Sequence, residues 1–254
     1  MKETLKIHLP ESIADITLEQ AQKLDVLNAK RDSLDELAFI KRYISIFTEI
    51  KFRDLDNISM SDFDGIHAQI TEALDTEVPF ENRFVLNQVE YGFVPNLDEI
   101  TTGEYIDLST YGNSMETLHK TMAVLFRPIT KDMAFGSYEI EPYNGTKDRA
   151  EVMKQAPMNI VLGMLVFFLR FIEGIKESYP EIYSSNGGTE KSSVGYFEKW
   201  GWYATLDMLA DGDILKINKV TEIGVMEFHT FLAHKLDKQK MEAILRKGSN
   251  TTQL

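Results

Sequence analysis

The sequence predicts a mainly α fold with a minor β element. Apolar residues recur at helical spacing along most of the 254-residue chain, in several places directly after a capping sequence. Residues 80–94 are instead rich in Phe, Val and Tyr, which favour strands. Hydrophobic residues make up 43% of the chain, which is enough for a packed core and too many for a disordered chain.

The chain is acidic and contains no cysteine. Its 40 Asp and Glu residues outnumber its 27 Lys and Arg residues, giving a formal net charge of −13. This charge repels phosphate backbones, so we expect no nucleic-acid partner. The lack of cysteine excludes disulfides, thiolate metal sites and cysteine nucleophiles.

Three helices and a short strand are predicted in the first third of the chain. The first helix follows the capping box Thr17–Gln20, and the second follows a similar sequence, Ser33–Glu36. The third helix follows Ser61. Residues 4–9 alternate polar and apolar side chains before Pro10, which predicts a strand.

The middle of the chain combines the β element with further helices. Residues 80–94 predict a β-hairpin or two short strands. Helices are predicted over residues 103–108 and 115–126, and Pro128 would stop the second one. Residues 135–143 are expected to be extended or looped.

The most apolar segment lies between Pro157 and Arg170. Its uncharged run of 13 residues rises about 1.5 Å per residue and is too short for a hydrocarbon core of about 30 Å. We therefore expect no membrane span and interpret the segment as the most buried helix of the core. The residues expected in the core are Phe47, Ile66, Leu118, Leu125, Leu162, Leu165, Val166, Leu169, Trp200 and Leu206.

Composition divides the chain into a body and a tail. Residues 184–193 are small and polar and predict a flexible linker. Residues 1–183 would form an acidic, mostly helical body with short strands, and residues 194–254 a small helical subdomain with a frayed end. Residues 1–198 carry 19 basic and 33 acidic side chains, whereas the remainder carries 8 and 7, so the acidity belongs to the body.

One carboxylate pair has the spacing of an acid–base site. Glu104 and Asp107 lie three residues apart on a predicted helix and would share a face, with Tyr105 and His119 as candidate neighbours. The simpler interpretation is that these carboxylates favour the positive end of the helix dipole. The chain contains no phosphate-binding glycine loop and no nucleophile motif, and we assign no catalytic residue.

The histidines and aspartates lack the spacing of a metal site. His229 and His234 are five residues apart, which places them on different helix faces, whereas the metalloprotease motif needs a spacing of four. Three aspartates surround Gly212, where we predict a helix end at the glycine and a helix cap at Asp213. We therefore assign no metal ligand and no cofactor-binding residue.

The aromatic cluster Trp200, Trp202 and Tyr203 has two interpretations. Exposed aromatic side chains often anchor partner proteins. The alternative is that all three pack in the core of a small helical subdomain. Amphipathic helices, an acidic body and little sign of catalytic chemistry together favour a protein that acts by contact with other proteins.

A family resemblance rests on short segments spread along most of the chain. They are Asp15–Leu18, Tyr91–Leu97, Gly103–Leu108, Leu118–Lys120, Ala123–Pro128, Glu141–Tyr143, Gly163–Phe168, Trp200–Tyr203, Leu209–Ile214 and Lys216. These segments resemble tail and baseplate assembly proteins of tailed bacteriophages, including tail assembly chaperones. No residue with an assigned chemical role is carried over by the resemblance.

The resemblance implies a non-enzymatic, virus-encoded factor that acts in the host cytoplasm during virion morphogenesis. Its partners would be viral structural proteins, such as the tail tape-measure protein or the baseplate hub, with a homo-oligomer as a further option. Two alternatives stay open. One is a structural virion subunit of the tail, baseplate or a capsid-associated assembly, and the other is an enzyme built on Glu104 and Asp107.

Overall fold

The fold is mainly α with a minor β element, as predicted. A computed structural model of the protein describes residues 7–48, 50–76, 79–183 and 199–251, which form eleven α-helices and one four-stranded antiparallel sheet. The helices are α1 (Leu18–Asn28), α2 (Glu36–Thr48), α3 (Met60–Leu74), α4 (Thr102–Tyr111), α5 (Leu118–Leu125), α6 (Ala150–Met153), α7 (Met158–Ser178), α8 (Pro180–Tyr183), α9 (Trp202–Leu209), α10 (Ile217–Glu222) and α11 (Val225–Thr251). The strands are β1 (Arg83–Leu86), β2 (Val89–Phe93), β3 (Phe126–Asp132) and β4 (Tyr138–Ile140).

The chain forms two compact units, each assembled from separate stretches of sequence. The first unit consists of Met1–Val94 and Tyr111–Val166, and the second of Pro95–Thr110 and Phe167–Leu254. The second unit groups α4 with the C-terminal helices, because Ile106 packs against a buried cluster on α9 and α11. The members of that cluster are Leu206, Leu209, Phe228 and Leu232. The predicted linker, residues 184–193, lies outside the described residues.

The first predicted capping box is confirmed, and the second is wrong. The Thr17 hydroxyl accepts a hydrogen bond from the Gln20 amide at 3.3 Å, and the Gln20 side-chain oxygen accepts one from the Thr17 amide at 2.9 Å. At α2 the capping residue is Asp35, whose carboxylate accepts a bond from the Ala38 amide at 2.8 Å. Ser33 does not cap α2, because it ends a separate 3-10 helix, Arg31–Ser33, in which its hydroxyl donates to the Lys30 carbonyl at 2.7 Å.

The predicted hairpin over residues 80–94 is confirmed by the pairing of β1 with β2. Its turn residues Asn87 and Gln88 have φ values of 51° and 66°, the pattern of a two-residue type I′ turn. The sheet continues in the order β1-β2-β3-β4. Of the predicted strand over residues 4–9, the first three residues lie outside the described residues, and residues 7–9 are not in a strand.

Helix α5 ends one residue earlier than predicted, and a strand follows it directly. Helix α5 ends at Leu125, and β3 begins at once and continues through Pro128, which pairs opposite Tyr91. The proline therefore lies inside a strand rather than ending a helix. Beyond it, β3 changes partner and pairs with β4 from Ile129 onward, so the missing amide hydrogen falls where the ladder switches strands.

The core of the first unit lies where the sheet meets α5. Phe126 is fully buried and makes edge-on ring contacts with Phe84 at 5.1 Å and Phe93 at 5.3 Å. Leu118 and Leu125 on α5 are buried, as predicted. The predicted burial of Phe47, Ile66 and Leu206 is also confirmed.

The prediction that α7 is the most buried helix is wrong. Leu162, Val166 and Leu169 are exposed, and Leu165 is only half-buried. The first turn of α7 is buried on all sides, and beyond it the helix buries only residues at helical spacing. The buried residues are Met158, Asn159, Ile160, Val161, Met164, Phe168 and Ile175.

Candidate protein-binding surface

An aromatic surface in the second unit lies just before and at the start of α9. We define it as Lys199, Trp200 and Tyr203, all three of which are exposed. The rings of Trp200 and Tyr203 lie 6.0 Å apart between centroids, and the exposed fractions of the two residues are 45% and 47%. The Lys199 ammonium lies 4.9 Å from the Trp200 ring centroid, within the range of a cation–π interaction.

Trp202 faces inward and fixes the helix that carries the aromatic surface. Its indole nitrogen donates to the Ser109 hydroxyl at 2.8 Å, and its ring packs edge-on against Tyr105 with centroids 5.6 Å apart. Gly201 precedes it with φ +50° and ψ −132°, a backbone conformation that L side chains rarely adopt. The aromatic cluster therefore divides, because Trp202 packs in the core whereas Trp200 and Tyr203 do not. The predicted burial of Trp200 is wrong.

A buried hydrogen-bonded chain, Tyr105–Tyr183–His229, supports this core. The His229 ring is fully buried, and its Nδ1 lies 2.7 Å from the Val225 carbonyl oxygen. Since a carbonyl only accepts, Nδ1 carries the proton and Nε2 is the acceptor. The Tyr183 hydroxyl must then donate to Nε2 at 2.7 Å, and the Tyr105 hydroxyl donates to the Tyr183 oxygen at 2.6 Å.

Burial sets the protonation states of this chain. It lowers the pKa of His229, an effect that the bond to Val225 partly opposes. Burial likewise raises the pKa of Tyr183 and Tyr105. All three groups are therefore neutral near pH 7, and the arrangement is that of a structural network that orders α4, α8 and α11.

The structure places Glu104 and Asp107 on α4, with Glu104 buried and Asp107 partly buried. The buried Glu104 carboxylate accepts hydrogen bonds from the Thr101 amide at 2.7 Å and the Thr101 hydroxyl at 2.9 Å, which is a capping role. Its predicted neighbours are engaged elsewhere. Tyr105 belongs to the buried chain, and Nδ1 of His119 lies 3.2 Å from the Gln22 amide nitrogen.

The histidines and aspartates occupy structural positions. His229 is buried and His234 is exposed, which confirms that they lie on different faces of α11. Helix α9 ends at Leu209 with Ala210 as its C-cap, so the helix end predicted at Gly212 is wrong by two residues. The predicted cap is confirmed, because the Asp213 carboxylate accepts a bond from the Leu215 amide at 3.0 Å. Among the described residues, no group of three or more His, Asp or Glu side chains is placed to hold a metal ion.

The exposed side of α7 is a feature that sequence reasoning missed. Within the described ranges, α7 is the one helix long and apolar enough to cross a membrane, and 39% of its apolar window is buried. Leu162 and Val166 of the first unit are exposed, as are Phe167 and Leu169 of the second. The spacing of Leu162 and Val166 by one turn indicates a shared helix face, but the buried Ile160 and Met164 have the same spacing, so it does not indicate which face is exposed.

Comparison with known proteins identifies no relative. No protein-family model, no curated protein and no solved structure matches this chain.

Proposed function

We propose that this chain is a non-enzymatic tail or baseplate assembly factor of a tailed bacteriophage. In this proposal the aromatic surface binds a tail component, such as the tape-measure protein or the baseplate hub, during virion morphogenesis in the host cytoplasm. The tail-assembly role rests on the segment resemblance. The binding role rests on a single observation, the outward position of Trp200 and Tyr203 beside an inward Trp202.

The aromatic surface has the properties of a binding anchor. Tryptophan and tyrosine dominate the energetically important residues of protein interfaces because they bury large areas with few rotatable bonds. Trp200 and Tyr203 sit beside a tryptophan fixed by a hydrogen bond and ring packing, so little ordering of the helix is needed on binding. Lys199 adds a cation that would favour a partner carrying carboxylates.

Charge and helix composition support the same proposal. A factor that covers the apolar stripe of a helical partner needs apolar contact area and enough net charge to keep the complex soluble. The aromatic surface and the exposed side chains of α7 provide apolar area. The net charge of −13 provides the repulsion between complexes.

The assembly role is tested by quantitative mass spectrometry of this chain. The samples are purified particles and infected-cell lysate from the source of the chain. We expect the chain to be abundant in lysate, bound to another tail protein, and missing from particles. A fixed copy number in particles would instead identify a structural virion subunit and contradict the assembly-factor proposal.

The binding role is tested by the double variant Trp200→Ser/Tyr203→Ser in the full chain. Truncation after the predicted linker is unsuitable, because it would remove Leu206 and Phe228 from their contacts with Ile106. Loss of a central aromatic anchor costs about 2 kcal/mol, so we expect capture of the tail partner to weaken by roughly thirtyfold or more. The matched control is Phe135→Ser, which removes an exposed aromatic ring in the first unit.

Two further measurements separate this proposal from its rivals. The double variant Glu104→Gln/Asp107→Asn should assemble tails normally, and loss of assembly with an intact fold would favour the enzyme alternative. Flotation with phospholipid vesicles should leave the wild-type chain unbound. Recovery of the chain with the vesicles would show that α7 acts on a membrane and would contradict a soluble protein partner.

A further inference from the structure

A groove between α1 and α2 in the first unit combines cations with exposed apolar side chains. We define the cationic groove by Lys23, Lys30 and Arg42 around Val26, Ile46 and Phe52. Val26 is 56% exposed and Phe52 is 42% exposed. None of the described residues that line this groove is acidic, although the chain as a whole carries 13 more negative than positive charges.

Two of the three cations keep their charge available. Lys23 forms a salt bridge with Glu19 at 3.0 Å on the same helix. Within the described part of the chain, neither Lys30 nor Arg42 is in a salt bridge, and both are exposed. The Arg42 guanidinium lies 6.0 Å from the Phe52 ring centroid, which places a cation beside the exposed aromatic side chain.

We propose that the cationic groove binds an acidic protein segment that carries at least one apolar side chain. The apolar side chain would cover Val26 and Phe52, while flanking carboxylates would pair with Lys30 and Arg42. A small inorganic anion would pair with the cations but would leave the apolar side chains of the groove exposed to water.

This inference does not depend on the proposed tail-assembly role. The cationic groove belongs to the first unit and the aromatic surface to the second, so each can be removed without touching the other. A partner that engages both would gain from the two contacts through effective concentration. The experiment below uses the groove alone.

The test is fluorescence anisotropy of the full chain with a short fluorescein-labelled peptide in which aspartate and glutamate flank one phenylalanine and one leucine. We expect saturable, salt-sensitive binding. An analogue with serine in place of the two apolar residues should bind about tenfold more weakly. The double variant Lys30→Glu/Arg42→Glu should lose binding by more than about tenfold and should instead bind an analogue with lysine in place of its acids.

The matched control is Lys219→Glu/Lys238→Glu, two exposed charge reversals in the second unit. Binding should be unchanged in this variant, and an equal loss would show that only net charge matters and overturn the proposal. If the serine analogue bound with the same affinity as the original peptide, the groove would recognise only negative charge, and this result would also overturn the proposal. If binding of the peptide did not saturate up to about 1 mM, this result would also overturn the proposal.

Sedimentation velocity of the full chain completes the test. Self-association that is abolished by Lys30→Glu/Arg42→Glu would identify a second copy of the chain as the occupant and overturn the proposal.

Discussion

The Tyr183 hydroxyl donates to Nε2 of His229 across 2.7 Å because the Nδ1 proton of the same ring is committed to the Val225 carbonyl. Protonation of His229 would place a hydrogen on Nε2 and remove the acceptor that Tyr183 uses. The tyrosine hydroxyl would then have to reverse its orientation and break its present arrangement with Tyr105. The buried chain is therefore compatible with only the neutral imidazole.

We expect acid to destabilise the second unit. The pKa of His229 is lowered by burial in the folded state, whereas the unfolded histidine titrates near 6.5. Between these two values the unfolded chain binds a proton that the folded chain does not. The free energy of unfolding should therefore fall as pH decreases below about 6.5, by up to about 1.4 kcal/mol per pH unit for this one group, until the folded pKa is reached.

Urea unfolding followed by tryptophan fluorescence measures this dependence, because Trp200 and Trp202 are the two tryptophans of the chain and both belong to the second unit. His229→Gln should lose about 1–3 kcal/mol at pH 7 and show a smaller pH slope than the wild type. His234→Gln, on the same helix but exposed, should change neither quantity. An unchanged slope in His229→Gln would show that other groups cause the acid sensitivity.

The two tryptophans should differ sharply in their contribution to stability. Trp202→Ala removes ring contacts with Tyr105 and Phe228 and leaves the Ser109 hydroxyl without its indole donor, so we expect a loss of about 3–5 kcal/mol. Trp200→Ala should change stability by less than about 0.5 kcal/mol, since the ring is exposed. Thermal unfolding by circular dichroism compares the variants, and equal losses would place both rings in the core.

Gly92 should be intolerant of even a methyl group. A Cβ built on Gly92 would lie 2.3 Å from the Tyr138 ring, and the Tyr138 hydroxyl is held by a bond to the Phe93 carbonyl at 2.8 Å. The ring cannot move aside without losing that bond, so Gly92→Ala should cost about 1–3 kcal/mol. Faster amide hydrogen exchange in β1 to β4 is the expected observation.

Gly65 provides the matched substitution for the alanine test. It lies in α3, and among the described residues nothing other than the backbone of its own helix lies within 4 Å of a Cβ placed there. Gly65→Ala should stabilise the helix by about 0.5–1 kcal/mol, because alanine has the higher helix propensity. Stabilisation by Gly92→Ala as well would mean that the sheet adjusts freely around Tyr138.

The hairpin turn should be improved by a single glycine. Gln88 has φ +66° without the conformational freedom of glycine, and its side chain is exposed. Gln88→Gly should stabilise the β1–β2 hairpin by about 0.5–1 kcal/mol, since Asn-Gly is the preferred type I′ sequence. Asn87→Gly is the comparison, and we expect it to gain less because asparagine tolerates this conformation. Slower hydrogen exchange at Phe84 and Tyr91 measures the effect, and faster exchange would contradict it.

Local signals predicted elements well where one interaction decides the structure. The reciprocal bonds of Thr17 and Gln20 start α1, and the aromatic-rich segment folds into the hairpin. Prediction failed where the same residue can take part in two different local structures. Ser33 bonds to a carbonyl instead of capping α2, and Pro128 lies within β3 instead of stopping a helix.

Properties that depend on distant residues were beyond sequence reasoning. An apolar run such as that of α7 does not reveal which of its sides will be covered, because that depends on the neighbouring elements. The buried chain joins residues 78 and 46 positions apart in sequence, and no local pattern indicates such pairs. The sequence predicts part of the candidate binding surface, since exposed Trp200 and Tyr203 are one of the two interpretations of the aromatic cluster. Which of the three rings faces inward depends on the packing of Trp202 against α4.

The discontinuous second unit affects how the protein is made. Tyr105 and Leu108 on α4 are buried in the finished fold, yet the helix that supplies Phe228 is synthesised more than a hundred residues later. At about 5–20 residues per second, a ribosome therefore leaves these apolar side chains uncovered for on the order of ten seconds. During that interval the nascent chain exposes a surface that general folding chaperones recognise, so its yield in cells should depend on translation speed as well as on the stability of the native state.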